Sequence, residues 1–78
     1  MDYIEEDHLA GHRIYYAGME FITDDGGGQG KALRRVISKS LEDNKAHLFP
    51  VLHTGGYATI LVSGFTPLVI EDIQAKLP

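Results

Sequence analysis

An α+β fold in the order β-β-α-β-β-α is predicted by three features of the 78-residue sequence. One long helical pattern follows a glycine cluster in Asp24–Asn44, DDGGGQGKALRRVISKSLEDN. Two short runs on either side of it, HRIYYAGMEFIT and HLFPVLHTGGYATILVS, alternate in the manner of hairpins around glycine turns. The last residues, TPLVIEDIQAKLP, open on a threonine–proline pair suited to a helix start. Together they predict one small antiparallel sheet of two hairpins with the central helix packed on it. At this length the chain is expected to form one domain, 1–78, with residues 1–11 as a loose acidic tail.

The first hairpin is predicted over 12–23. With Ala17-Gly18 as a two-residue loop, Tyr16 faces Met19, Ile14 faces Phe21 and His12 faces Thr23. The opposite face, with Arg13, Tyr15, Glu20 and Ile22, is mixed enough to be wet. Gly26, Gly27, Gly28 and Gly30 are expected to break regular structure, because ordering glycine costs the most backbone entropy. Ala32, Leu33, Val36, Ile37 and Leu41, with Ser40 at the margin, then give a one-sided stripe of 3.6-residue period, and Asn44 suits a left-handed cap.

The second hairpin is predicted over 47–63. Gly55-Gly56 as its loop sets His53 against Ala58, Val51 against Ile60 and Phe49 against Val62, all on one face. Pro50 cannot donate to a ladder, so its nitrogen must point outward or its strand must lie at an edge. The other face carries Leu48, Leu52, Tyr57 and Leu61. Four large apolar groups there require a cover, either the C-terminal segment or another chain. That segment is predicted as a helix over 67–76 from the spacing of Val69, Ile70, Ile73 and Leu77, with a strand over 68–70 as the alternative. The predicted core is Ile14, Phe21, Phe49, Val51, Ile60 and Val62 against Leu33, Val36, Ile37 and Leu41.

Composition narrows the function classes. Cysteine is absent, which removes disulfides and thiolate zinc cages and agrees with a reducing cytoplasm. No basic region followed by an apolar run opens the chain, so no secretory signal is expected. No apolar stretch reaches the roughly 20 residues that span a bilayer, so no membrane partner is expected. The formal charge of -4 argues against general nucleic-acid binding, which needs basic surface. The charge is also segregated. Asp2, Glu5, Glu6 and Asp7 form an acidic candidate surface, whereas Lys31, Arg34, Arg35 and Lys39 form a basic one on the helix. Lys31, Arg35 and Lys39 repeat every four residues, a like-charge spacing that costs a helix about 0.2–0.5 kcal/mol per pair. Glu42 and Asp43 in the last turn oppose the macrodipole as well, so helix stability does not explain the arrangement.

Motifs for chemistry fail on inspection. GGGQGKA sits where a phosphate loop belongs, but Asp25 replaces its first glycine and Ala32 its magnesium-binding hydroxyl. A dinucleotide pattern begun at Gly28 meets Leu33 in place of its third glycine. The loop therefore reads as a flexible connector, and no nucleotide or other cofactor is expected. His8, His12, His47 and His53 have no spacing that brings three or four ligands together, so no metal is expected and rim histidines are the simpler reading. Ser38, Ser40 and Ser63 lack a nucleophile elbow. The adjacent carboxylates Asp24-Asp25 and Glu42-Asp43 suit turns and helix ends.

These features lead to a non-enzymatic, small acidic binding protein that occupies a surface of a larger protein or nucleoprotein partner. Its candidate apolar contact face is Leu48, Leu52, Tyr57 and Leu61. Size and charge are shared with phage-encoded inhibitors such as anti-CRISPR proteins, an association that no sequence motif carries. Two alternatives stand beside it: a nucleic-acid-binding module using the basic helix face, and a small subunit of a homo-oligomer such as a homodimer.

Overall fold

The computed structural model describes residues 9–75. Five strands and one helix follow in the order β1 (Leu9–Tyr16), β2 (Met19–Ile22), α1 (Gly28–Asp43), β3 (His47–His53), β4 (Gly56–Val62) and β5 (Leu68–Gln74). The fold is α+β, but the strands divide into two sheets, β2-β1-β5 and β3-β4, where one sheet is predicted. Both are antiparallel.

The first hairpin has the predicted register: Tyr16 pairs with Met19, Ile14 with Phe21, and Thr23 N–H donates to His12 O at 2.9 Å. Ala17 (φ 49°) and Gly18 (φ 81°) are both left-handed, the conformation whose twist matches the flanking strands. Residues 9–11, expected in the tail, belong to β1 and pair with β5. The rest of the expected tail lies outside the described residues.

The C-terminal segment is a strand, not the predicted helix; it contains the alternative strand over 68–70 and runs on to Gln74. β5 takes the open edge of β1, with Tyr16 opposite Leu68, Ile14 opposite Ile70 and His12 opposite Asp72. Two forces explain the outcome. Val69, Ile70 and Ile73 are β-branched and favour the pleated backbone. The unpaired edge of β1 also offers every second peptide group a hydrogen-bond partner, which local helix signals cannot match. Thr66, the expected helix cap, accepts from Ser63 N–H at 2.9 Å and donates to Leu61 O at 3.1 Å.

The second hairpin keeps its predicted faces but shifts its register by two residues. Val51 pairs with Ala58, Phe49 with Ile60 and His47 with Val62, around a Thr54-Gly55 turn. Thr54 N–H donates to Ile22 O at 2.8 Å and Gly55 N–H to His53 Nδ1 at 3.1 Å, which fixes the reversal one residue early. Gly56, at φ 128°, then begins β4. Because side chains alternate with period two, a two-residue slip leaves the buried set unchanged. Leu52 N–H points off the ladder to Gln29 Oε1 at 3.4 Å. Pro50, two residues earlier, directs its nitrogen the same way, so its missing N–H breaks no ladder bond.

The helix begins at Gly28, so Gly28 and Gly30 lie in its first turn and do not interrupt it as expected. Gly26 N–H donates to Ala10 O at 3.1 Å, which pins the preceding connector to β1. Asn44 (φ 55°) is the left-handed cap. The helix packs on β1, β3 and β4. Ile14, Leu33, Phe49, Val51, Ile60 and Val62 are buried between these layers, with Phe21, Val36 and Ile37 packed against them. Leu41 departs from the predicted core, being 66% exposed. Its place on the buried stripe is taken by Ser40, whose hydroxyl donates to Val62 O at 3.1 Å. A hydroxyl fits where the helix runs close enough to β4 to reach a main-chain carbonyl.

Candidate interaction surface

The outward faces of the two sheets differ in chemistry. On β2-β1-β5, Arg13 reaches Glu20 and Glu71 at 3.5 Å each, and Tyr15 Oη donates to Glu71 Oε1 at 3.5 Å. Hydrogen bonding to Tyr15, its charge interaction and those of Glu20 and Glu71 raise the Arg13 pKa above the ordinary arginine value, against a lowering by burial. This mixed face suits water, and its charges have partners within it.

The outward face of β3-β4 has none of this. Leu48 stands opposite Leu61, Pro50 opposite Thr59 and Leu52 opposite Tyr57. Leu48 is 69% and Tyr57 76% exposed, and Leu52 and Leu61 are also exposed. No charged side chain interrupts these three cross-strand pairs. The C-terminal segment, expected as a cover, adds to β1 instead and leaves this face open. Its backbone is braced at both ends, since Leu61 N–H donates to Tyr16 Oη at 3.2 Å and Leu52 N–H to Gln29 Oε1. All four residues of the apolar candidate surface therefore share one face, as expected.

The basic helix residues Lys31, Arg34, Arg35 and Lys39 are exposed. Arg34 is committed in part, because its Nη2 donates to Asp72 Oδ1 on β5 at 3.1 Å. The acidic candidates Asp2, Glu5, Glu6 and Asp7 lie outside the described residues, as does His8.

The other histidines are separated. His12, read as a rim residue, is instead 0% exposed in the layer between β1 and α1. Its Nδ1 lies 3.1 Å from Asp72 Oδ1, without hydrogen-bond alignment. Nothing in the spacing of His12, Gly30, Arg34 and Asp72 announces this group, which the pairing of β1 with β5 assembles. His47 Nε2 meets Asp43 Oδ2 at 2.9 Å, and His53 stacks at a tilt on Phe21 with ring centres 5.0 Å apart. Partial desolvation opposes ionisation of Asp43, but hydrogen bonds from His47 and Lys45 N–H outweigh it and lower its pKa from 3.8. Among the described residues, no three His, Cys, Asp or Glu converge in a group that could hold a metal ion. Among the described residues, no helix is long and apolar enough to cross a membrane.

Sequence reasoning also passed over Phe65, which is 93% exposed. The available signal was its setting, a phenyl ring among the turn residues of Ser63-Gly64-Phe65-Thr66-Pro67. Comparison with family models, curated proteins and solved structures gives no match.

Proposed function

We propose that this chain is a non-enzymatic binding protein that acts by laying the outward face of β3-β4 against a larger protein. The observation that carries this reading is the uncharged surface of Leu48, Pro50, Leu52, Tyr57, Thr59 and Leu61, open to water on a braced backbone. Exposed apolar patches on small proteins are costly to keep unless they are used. A rigid patch with an aromatic residue is also economical to bind, because little ordering entropy remains to be lost. The charge-paired, mixed face of β2-β1-β5 and the partnered Arg34 support β3-β4 as the contact face over the helix. The narrower reading of a phage-type inhibitor of the anti-CRISPR kind rests on size and net acidity. It makes the partner a nucleoprotein with basic surface.

The test is affinity capture from a host lysate, untreated and nuclease-treated, with the parent chain, Leu48→Lys/Leu61→Lys, and Arg35→Gln/Lys39→Gln. A protein held by the parent and the helix variant, but released by the sheet variant, supports the proposal. Binding that is lost on nuclease treatment and on helix neutralisation supports the nucleic-acid alternative instead.

A further inference from the structure

We propose that the open edge of β5 takes up an extended segment of another protein as a further antiparallel strand, one that carries two consecutive basic residues followed by β-branched or aromatic ones. The pairing of β1 sets this edge. Thr23 N–H donates to His12 O, so His12, Ile14 and Tyr16 turn their peptide groups toward β2. Antiparallel bonding alternates along a strand, so Arg13 and Tyr15 turn theirs toward Glu71 and Val69 of β5. Leu68, Ile70 and Asp72 are left with N–H and C=O groups directed away from β1. Among the described residues, no strand lies beyond β5 in its sheet and no turn or loop backbone bonds to these groups. Such a row is a template for strand addition. No proline interrupts Leu68–Gln74, and Tyr15 Oη and Arg34 Nη2 hold Glu71 and Asp72 from neighbouring elements.

The side chains of β5 specify what the incoming strand carries. Glu71 and Asp72 are adjacent, exposed and on opposite faces of the sheet. Glu20 and Glu71 share the guanidinium of Arg13 at 3.5 Å each, which leaves that face with a surplus carboxylate. Arg13 and Glu71 stand opposite each other, and a Lys or Arg on the next strand extends this row with alternating sign. The neighbouring basic residue then meets Asp72 on the other face. Asp72 is already engaged by Arg34, so Glu71 is the stronger anchor. Val69 and Ile70 continue the rows of Tyr15 and Ile14, which suits β-branched or aromatic residues beside them. A second copy of this chain fits poorly. Two-fold pairing of β5 along its full length sets Glu71 directly against Glu71 of the other copy, a destabilising like-charge pair. The proposal goes beyond the β3-β4 reading and uses no residue of that face, since β5 belongs to the other sheet.

The test titrates the synthetic peptide Thr-Lys-Arg-Val-Tyr-Val-Thr into the full chain and follows amide spectra and hydrogen exchange. Binding should slow exchange at the Ile70 and Asp72 amides, while Val69 and Glu71, already bonded to β1, should change little. N-methylation of the peptide amides that face β5 should weaken binding at least about ten-fold, and methylation of the alternate set should be tolerated. Glu71→Lys should reverse the preference toward a peptide with Glu-Glu in place of Lys-Arg. Glu71 is exposed, so the circular dichroism of this variant should match the parent. Leu48→Lys/Leu61→Lys should bind the peptide as the parent does, which separates this test from that of the β3-β4 face. If the two carboxylates serve only to keep strand edges apart, no peptide will protect Ile70 and Asp72 even at about 1 mM. That result, equal affinity for the two methylated peptides, or a Glu71→Lys variant indifferent to the charge swap would overturn the proposal.

Discussion

Gly30 in the first turn of α1 lies flat against the ring of buried His12, whose Nε2, Cε1 and Cδ2 occupy the space that a Cβ at position 30 would need. Helix and sheet approach here as closely as a missing side chain allows. The opposite edge of the same imidazole faces Asp72 on β5, which also accepts from Arg34 on the helix. One histidine thus joins β1, α1 and β5. Gly30→Ala should destabilise the chain by about 1–3 kcal/mol through overpacking, despite alanine's better helix propensity. His12→Ala should be destabilising too, but the double variant should be more stable than the sum of the two losses implies. A double-mutant cycle in urea measures that coupling; strict additivity would contradict the contact.

The corrected helix stripe makes a sharper prediction. Leu33→Ala and Ile60→Ala each empty a buried site and should cost about 2–5 kcal/mol. Leu41→Ala should stay within about 0.5 kcal/mol of the parent because Leu41 is mostly in water. Thermal melts of the three variants check this, and a large loss at Leu41 would restore the stripe read from periodicity.

Ala17 holds a left-handed conformation that alanine resists by roughly 1–2 kcal/mol. Ala17→Asn supplies the preferred Asn-Gly turn and should raise the melting temperature by several degrees. An unchanged or lower value would mean that the turn is not held as described.

Acid should weaken the contact between the end of α1 and the start of β3. The Asp43 pKa is lower in the folded chain than in the unfolded one, so its stabilisation is present above about pH 4 and is lost as pH falls through the folded value. Asp43→Asn should therefore be less stable than the parent at pH 7, and the two should converge as Asp43 becomes protonated. Denaturant melts between pH 7 and pH 3 should show the gap closing toward acid. A constant gap would remove Asp43 as the cause.

Much of the fold was legible because its signals were local. Ala17-Gly18 set the first register, Asn44 ended the helix, and alternation in 47–62 sorted the second hairpin into a buried face and an open one. The errors fell where a distant contact outvoted a local preference. The open edge of β1 captured 68–74 against the Thr66-Pro67 helix signal, and Val62 O selected Ser40 over Leu41. The register of β3-β4 was missed because two hydrogen bonds at Thr54 and Gly55, one of them to Ile22, settle which residues turn. At the candidate surface, Leu48, Leu52, Tyr57 and Leu61 were readable from period two alone. The His12–Asp72–Arg34 group was not, since it depends on a strand pairing that no motif encodes.

Charge offers a separate comparison. Replacing Lys31, Arg34, Arg35 and Lys39 by Gln shifts the formal charge from -4 to -8, and replacing Asp2, Glu5, Glu6 and Asp7 by Asn or Gln shifts it to 0. If the β3-β4 face supplies the binding energy, each set should alter the association rate and its salt dependence but change affinity only by about a few-fold. Loss of binding with the first set, together with a flattened salt slope, would instead point to phosphate contacts.

The central claim is that the outward face of β3-β4 meets the partner. Methyl-labelled leucine spectra of the chain, titrated with the protein captured in the nuclease-treated experiment, test it most directly. The expected result is shift or broadening at Leu48, Leu52 and Leu61, with the buried Leu33 essentially unmoved. Unchanged Leu48, Leu52 and Leu61 signals in a saturated complex would contradict the claim and place the contact elsewhere.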